Sequence, residues 1–583
     1  MRSFFKIFFA SLLALVVFSL LVFFFIISFI GKIASKSESR VDPKSVLVLD
    51  LSQHYAEQTQ NNAFAVLSGD DKDVPGLYDV IRLLSRAKTD KDISGLYIVS
   101  NNNANGFASS EELRNAVIDF KKSGKFVLAH GDVISQQAYG VANVADSIFI
   151  SPQGYLEWNG LSVEYAFLKG TLDKLEIQPQ IFYAGKFKSA TEPLRATEMT
   201  PENELQTSVW LGDLYSHLLL GASATRKIDT ATLHNLANEG KIQTAADAVT
   251  YKLVDALKYD DEVKDVIKGK LGLDKYERAD YVSINTYFSA HKTHSSGGDK
   301  MALIYAEGNI IDGKGENGSI GSETYRTLIR KARLDKSIKA IILRVNSGGG
   351  SSMASESIWR ELELAKKEKP VVVSFGDVAA SGGYYIACAA DSIFCLPNTI
   401  TGSIGVFGIV PNMESFFKNK LGVTFDGVKT GPYADMGAIY RPLGDNEKKL
   451  VQNSIEVIYS QFKQRVADGR KKDTAYVDSI AQGRVWTGLR AKDIGLVDRF
   501  GGIDDAVKCA ARLAKLTDYS LREFPEPRNI FEQYFGKSDP MNYSDKIKAE
   551  MGEENYKIYI EIKRIREMTN TVQARLPFTF FIH

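Results

Sequence analysis

One serine, one lysine and one run of glycines stand out because each survives in only one copy of an internal duplication. The segment from Gly131-Asp132-Val133 to Ala145-Asp146-Ser147-Ile148-Phe149 recurs as Gly376-Asp377-Val378 to Ala390-Asp391-Ser392-Ile393-Phe394. Where the second copy has Ser381, in Ala-Ala-Ser-Gly-Gly, the first has Gln136. Downstream, Ala184-Gly185-Lys186-Phe187-Lys188-Ser189 stands against Thr430-Gly431-Pro432-Tyr433-Ala434-Asp435. Matching the glycines sets Lys188 against Ala434. A hydroxyl nucleophile in one half and an amine base in the other would make one divided site for nucleophilic catalysis.

The pattern around Ser381 predicts a buried strand, a five-residue loop, and then a helix over 382–390. Backbone N–H groups of a first helical turn are unpaired, and the helix dipole favours negative charge there. An alkoxide or oxyanion would be stabilised at that point. The same place suits an ordinary N-cap serine. The nucleophile-elbow pattern is not met, since Ala379 stands where its first glycine belongs.

A nucleophilic serine needs a base. No histidine lies between His294 and His583, and His130 corresponds to Phe375 as an ordinary local substitution, which argues against a Ser-His-Asp triad. What remains is a lysine whose pKa, about 10.4 in water, is lowered by burial until the amine is neutral. Lys188 is the candidate. A loop lysine can equally be solvated, with Ser189, Thr191 and Glu192 forming a polar turn.

Asn346-Ser347-Gly348-Gly349-Gly350 follows a strand and precedes a helix, and consecutive glycines let N–H groups approach a substrate as an oxyanion hole requires. A phosphate loop is excluded, because no Lys-Ser/Thr pair follows. The first copy reads Asn101-Asn102-Asn103-Ala104-Asn105 and has lost these glycines. Ser403, in Thr401-Gly402-Ser403-Ile404-Gly405, either hydrogen-bonds the lysine or sits in a turn; its counterpart is Trp158.

The elements that must position these groups follow in the same order in both halves. Val80, Leu83, Leu84 and Ala87 form a helical apolar stripe, matched by Tyr325, Leu328, Ile329 and Ala332. Apolar runs at 46–50, 95–99, 126–129 and 146–150 are matched at 301–305, 340–344, 371–374 and 391–395. Buried strands alternating with helices predict α/β units built on parallel sheet. The expected division is an anchor at 1–31, a first repeat at 45–295, a second at 300–520, and a charged tail at 521–583. Polar linkers are expected at 35–44 and 291–300. The tail is helix-prone between about 540 and 566 and ends apolar.

With 72 Lys and Arg against 71 Asp and Glu, nothing favours nucleic acid as a partner. Three cysteines, Cys388, Cys395 and Cys509, are too few for a disulfide framework and read as small buried residues. No metal or cofactor is expected. Residues 7–30 carry no charge, enough for a helix to cross a bilayer core of about 30 Å. Gly31-Lys32-Ile33 offers no small-x-small cleavage site, so an uncleaved single-pass anchor is the reading. Basic residues flank it on both sides, and charge alone leaves its orientation open.

Taken together, these motifs resemble the long, tandem form of the bacterial signal peptide peptidase A (protease IV) family, within the S49 peptidases. The resemblance rests on Gly185-x-Phe187-Lys188-Ser189-Ala190-x-Glu192-Pro193, Asn346-Ser347-Gly348-Gly349-Gly350, Ala380-Ser381-Gly382-Gly383-Tyr384-Tyr385 and Thr401-Gly402-Ser403-Ile404-Gly405. Gly348 departs from it, since the family usually has proline there. The resemblance implies two ClpP/crotonase-like domains and a Ser/Lys dyad, Ser381 as nucleophile and Lys188 as base. Ser403 would orient the lysine, and the N–H groups of Gly382 and of Gly349 or Gly350 would form the oxyanion hole. It also implies apolar peptides, including cleaved signal peptides, as substrates. A homo-oligomer, by resemblance a tetramer, would be held in the bacterial inner membrane with its catalytic part on the periplasmic side.

Two rival readings remain at the level of sequence. A crotonase-type enzyme acting on coenzyme A thioesters would use the glycines but leave the lysine and anchor unexplained. A silent peptide-binding scaffold would leave unexplained why both dyad members persist in complementary halves.

Overall fold

Each half builds a parallel sheet from its apolar runs. A computed structural model of the chain describes residues 2–34, 41–61, 73–291, 298–315, 318–526, 571–576 and 581–582. The first sheet has six strands, in the order Tyr281–Ser283, Ser45–Asp50, Ile93–Val99, Phe126–Ile134, Ser147–Leu156 and Ala256–Leu257, every neighbouring pair parallel. The second runs Val485–Thr487, Ile400–Gly402, Val371–Ala380, Ile338–Ser347, Asp299–Glu307 and Tyr519–Phe524. Its pairs are parallel except the one at the Val485–Thr487 edge. Helices cover the sheets through the expected stripes. Val80, Leu83, Leu84 and Ala87 are buried on Leu77–Ala87, and Tyr325, Ile329 and Ala332 on Ser322–Leu334.

The two units are not independent. A third sheet takes strands from both halves and from the tail, in the order Ser319–Gly321, Asn309–Ile311, Gly349–Ser351, Val572–Arg575, Val406–Asn412 and Gln178–Ala184. Gln178–Ala184 of the first half pairs antiparallel with Val406–Asn412 of the second over seven residues. Strand pairing across the seam therefore fixes the position of whatever follows Ala184.

A buried charge cluster holds the halves at a second point. Arg344, fully buried in the second sheet, donates to Glu57 at 2.8 Å and to Glu112 at 2.5 Å, both from the first half. It also donates to Ser374 Oγ at 2.8 Å and Phe375 O at 3.0 Å. Such a cluster is worth keeping only when every charge has a partner, because a stranded one costs about 3–5 kcal/mol.

Several expectations need correction. The strands at 126–129 and 371–374 run on through the Gly-Asp-Val segments to Ile134 and Ala380. The loop expected before Ser381 is therefore strand. It stays extended because Val378, Ala379 and Ala380 pair with Ile400, Thr401 and Gly402 after the register with Ile338–Ser347 shifts. The helix expected over 382–390 ends at Ala387. The boundary at 520 falls inside Tyr519–Phe524, which pairs with Asp299–Glu307 and so belongs to the second sheet.

The helical tail expected between 540 and 566 lies outside the described residues, as do 35–40 and 292–297 of the two linkers. Arg2–Ala34 forms one helix, on which apolar side chains such as Phe4, Ile7, Phe9 and Leu13 are exposed. Its side chains from 22 onward are not among those described, and among the described residues no helix is long and apolar enough to cross a membrane.

Candidate active site

Ser381 ends the strand Val371–Ala380 and begins the helix Gly382–Ala387. Its φ is 53°, a region that non-glycine residues avoid, and its side chain makes no capping bond to the helix. Ser381 therefore holds the N-cap position of the helix without its hydroxyl capping it, and that hydroxyl lies within hydrogen-bond distance of Lys188 Nζ. Two backbone bonds hold the strained turn. Ser381 N donates to Gly402 O at 2.8 Å, and Tyr385 N to Ser381 O at 2.8 Å. A sharp strand-to-helix turn of this kind normally relies on flanking glycines. Here Gly382 and Gly383 follow it, and both pack too closely for a side chain: a Cβ would come 2.7 Å from Ser355 Oγ and 2.5 Å from Ser347 O respectively.

Lys188 reaches the same point from the other half. Leaving the strand Gln178–Ala184, the chain turns at Gly185, whose φ of 109° and close approach to Gln482 only glycine permits. Phe187 N then donates to Gln482 O at 2.7 Å. Gly483 lies so near that a Cβ on it would be 2.6 Å from Lys188 Cβ. Behind the lysine, Gln206 donates to Phe187 O at 3.1 Å and Ser189 Oγ at 3.0 Å, and accepts from Val485 N at 3.1 Å. Glu192, also buried, accepts from Thr200 Oγ1 at 2.5 Å and Asn203 Nδ2 at 3.0 Å. The polar residues beside Lys188 are thus the buried frame of its loop and not a solvated turn.

Lys188 is only 1% exposed. Its Nζ lies 2.9 Å from Ser381 Oγ, 3.0 Å from Ser403 Oγ and 3.1 Å from Ser403 O. All three neighbours are neutral oxygens. Burial alone therefore holds Lys188 well below the ordinary lysine value. Ser403, with a φ of 50°, is pinned by its N–H donating to Arg484 O at 2.7 Å. Ser381, Ser403 and Gln482 are three of the nine non-glycine residues with positive φ among the described residues, so backbone strain gathers around one amine.

Gly349 N donates to Ser347 Oγ at 3.1 Å, and both Gly349 and Gly350 pair along the strand with the tail, with Arg575 and Ala574 respectively. Gly349 also supplies a clear approach to Gly382: a Cβ on it would fall 2.6 Å from Gly382 N. Neither Gln482-Gly483 nor the tail strand stands out in the sequence, since nothing near them repeats or carries chemistry. The three cysteines are free and buried as expected. Among the described residues no group of acidic, histidine or cysteine side chains is placed to hold a metal.

The model of Peptidase family S49 matches twice, over residues 119–274 and 363–517. The chain belongs to this family. Protease 4 of Salmonella typhi is 37% identical over 519 residues, covering 86% of this chain and 83% of its own. The chloroplastic serine protease SPPA of Arabidopsis thaliana is 33% identical over 487 residues, 82% of this chain and 70% of its own. Among solved structures, a mutant ClpP1 from Listeria monocytogenes aligns with 35% of this chain and 94% of its own at 17% identity and a TM-score of 0.24, too remote a likeness to carry an inference. This S49 chain is a serine peptidase with two repeats of its family's domain.

Proposed function

We propose that this S49 peptidase hydrolyses apolar peptides with Ser381 as nucleophile and Lys188 as general base, one catalytic group from each half. The observation that carries the reading is a fully buried amine 2.9 Å from the serine hydroxyl with only neutral oxygens around it. A neutral amine has two hydrogens and one lone pair. The hydrogens match Ser403 Oγ and Ser403 O, which leaves the lone pair for the Ser381 proton.

In that arrangement Lys188 takes the Ser381 proton as Oγ attacks a peptide carbonyl. The oxyanion is received by the N–H groups of Gly382 and Gly350. Protonated Lys188 gives its proton to the leaving amine, and the acyl-enzyme is then hydrolysed with Lys188 again as base. A relative from Enterococcus faecium, 36% identical over 231 residues, is named for signal peptide peptidase SppA. Released signal peptides are the apolar substrates we assign to this chain as well. Residues 7–30 would anchor it in a bilayer with the catalytic part on the extracytoplasmic side, raising the site's effective concentration near such peptides. Assembly as a homo-oligomer, a tetramer in this reading, would keep folded proteins out.

The test is hydrolysis of an apolar peptide ester by wild type, Ser381→Ala and Lys188→Ala. We expect each variant to lose at least about 10⁴-fold in kcat with its fold retained, the loss typical when one member of a catalytic unit is removed. Turnover surviving in both would sink the dyad.

A further inference from the structure

The duplication gives each half a matching pair of helices, and one pair has lost the aromatic filling that the other keeps. Helix Phe107–Lys121 corresponds to Ser352–Lys366, both of 15 residues. Helix Pro201–Arg226 corresponds to Asp445–Arg470, both of 26 residues, and their last arginines pair with Asp255 and Asp498 in turn. In the second half Tyr385 fills the space between the two helices. Its hydroxyl donates to Glu356 at 2.5 Å, and its ring centre lies 4.5 Å from that of Phe462. Arg465 also donates to Glu356, at 2.7 Å, and stacks over Trp359.

The first half keeps the carboxylate and loses the rings. Glu111 stands at the place of Glu356, but Gly140 replaces Tyr385 and Leu218 replaces Phe462. Arg114 replaces Trp359, and Gly221 replaces Arg465. A cavity lies among these residues, with Phe107, Val141, Leu161 and Leu214 as its apolar wall. Its enclosed part, about 50 Å³, is several times the roughly 10–15 Å³ that one water requires. It opens beside His217, whose side chain is 31% exposed and lies 3.4 Å from Glu111.

Two polar groups on the wall are unanswered. Asn398 reaches in from the second half, is 5% exposed, and donates through Nδ2 to Phe107 O at 2.9 Å. Its Oδ1 is buried with no hydrogen-bond partner among the described residues, and so is Arg114 Nε. Arg114 directs its Nη2 to Gly221 O at 3.3 Å and Asn143 Oδ1 at 3.5 Å. One of the two unpaired atoms accepts and the other donates, and a hydroxyl does both. Buried polar groups are normally paired, so these two point to a ligand.

We propose that this cavity is a binding site for a small phenol, seated where the Tyr385 side chain lies in the second half. The ring packs against Val141 and Leu218. The hydroxyl is met by acceptors on Glu111 and Asn398 and by the donor on Arg114. Neither Lys188, Ser381 nor Ser403 lines the cavity, so the site stands apart from the peptidase reading.

The test titrates the full chain with p-cresol, which is a tyrosine side chain cut off at its Cβ, and with toluene, each followed by ligand-observed NMR. We expect p-cresol to bind saturably. Toluene should bind at least about tenfold more weakly, because it leaves the buried polar pair unmet.

Gly140→Tyr locates the binding by restoring the second half's own ring. A Cβ on Gly140 would meet only the end of the Leu218 side chain, at 3.2 Å, which a flexible side chain can yield. We expect the folded variant to lose p-cresol affinity by at least about tenfold. Should it fail to fold, Leu218→Phe narrows the same cavity from the facing helix and is held to the same loss. The proposal is overturned by p-cresol that does not bind saturably, by toluene that binds as tightly, or by undiminished binding to the folded, filled chain.

Discussion

Position 381 in the second half and position 136 in the first hold the same place in the duplication and have opposite fates. In the first half the turn is relaxed. Ser135 has φ −66° and accepts from Ala138 N as an ordinary cap, and the helix Gln136–Ala142 follows. Gln136 closes the space beyond it, donating to Gly160 O at 3.1 Å and accepting from Gly160 N at 3.2 Å. Trp158, counterpart of Ser403, is only 1% exposed and donates to Leu233 O at 2.9 Å. In the second half the turn is strained at Ser381, and the corresponding volume is filled by the end of Lys188. One copy has been packed shut with an amide and an indole. The other has been kept open for an amine that the first copy itself supplies. Loss of one site and completion of the other thus belong to one arrangement, with the strand Gln178–Ala184 as the bridge.

The hardest way to break the comparison is to change the amine while keeping its length. Lys188→Arg keeps a positive charge but cannot become neutral in a protein. We expect a loss of at least about 10⁴-fold in kcat, about 5.5 kcal/mol of barrier, as large as removing the serine. The same logic fixes the pH dependence of wild type. Because burial lowers the lysine pKa, the active neutral form gains as pH rises through that lowered value, and kcat/KM should fall about tenfold per unit below it. A profile flat to low pH would break the assignment of Lys188 as base.

Linkage gives the stability side. A lysine with a depressed folded pKa opposes folding at pH below its unfolded value of about 10.4, and this penalty vanishes above it. Lys188→Met should therefore stabilise the chain at pH 7 and lose that advantage as pH approaches 10.4, a crossing readable by thermal melts.

Trp158 comes next, as the first half's plug. Trp158→Ala leaves a cavity that no lysine fills, and the expected loss is about 3–5 kcal/mol in denaturant unfolding. A loss below about 1 kcal/mol would mean that the site in the first half is not closed by packing. Ser403→Ala removes the matching group on the active side without opening much volume. It leaves one Lys188 hydrogen without its hydroxyl partner, and kcat should drop about 10- to 100-fold with KM little changed, about 1.4–2.7 kcal/mol.

Much of this is legible in the sequence, and for identifiable reasons. The duplication exposes Ser381 and Lys188 because each stands opposite a residue unable to replace it. The parallel sheets follow from apolar runs alternating with helical stripes. What cannot be read is contact at a distance. Arg344 sits in a strand that looks like any buried run until Glu57 and Glu112 arrive from the other half. Gln482 and Gly483 hold the lysine loop by backbone alone, which leaves no mark in side-chain chemistry. The strained φ of Ser381 is hidden because Ala379 replaces the glycine that usually signals such a turn, while partner strands at 346–347 and 400–402 impose the geometry instead. The tail strand escapes for the same reason: four residues of mixed polarity carry no period of their own, and only the slot they enter makes them a strand.

Gln136 offers the smallest effect and the most discriminating one. Gln136→Ala removes both bonds to Gly160, for which we expect about 1 kcal/mol of stability lost, somewhat more if the Gly160 N–H stays unpaired. Gly160 corresponds to Gly405, whose carbonyl lies 3.4 Å from Ser381 Oγ, so the same backbone position serves a closure in one half and the proposed nucleophile in the other. If the first half contributes to catalysis only through the strand and loop that carry Lys188, kcat of Gln136→Ala should match wild type within about twofold, since its stability loss is far too small to unfold a domain. A tenfold fall in kcat with the fold intact would show that closing the silent site positions the lysine, and the two halves would then be coupled through their cores as well as across their seam.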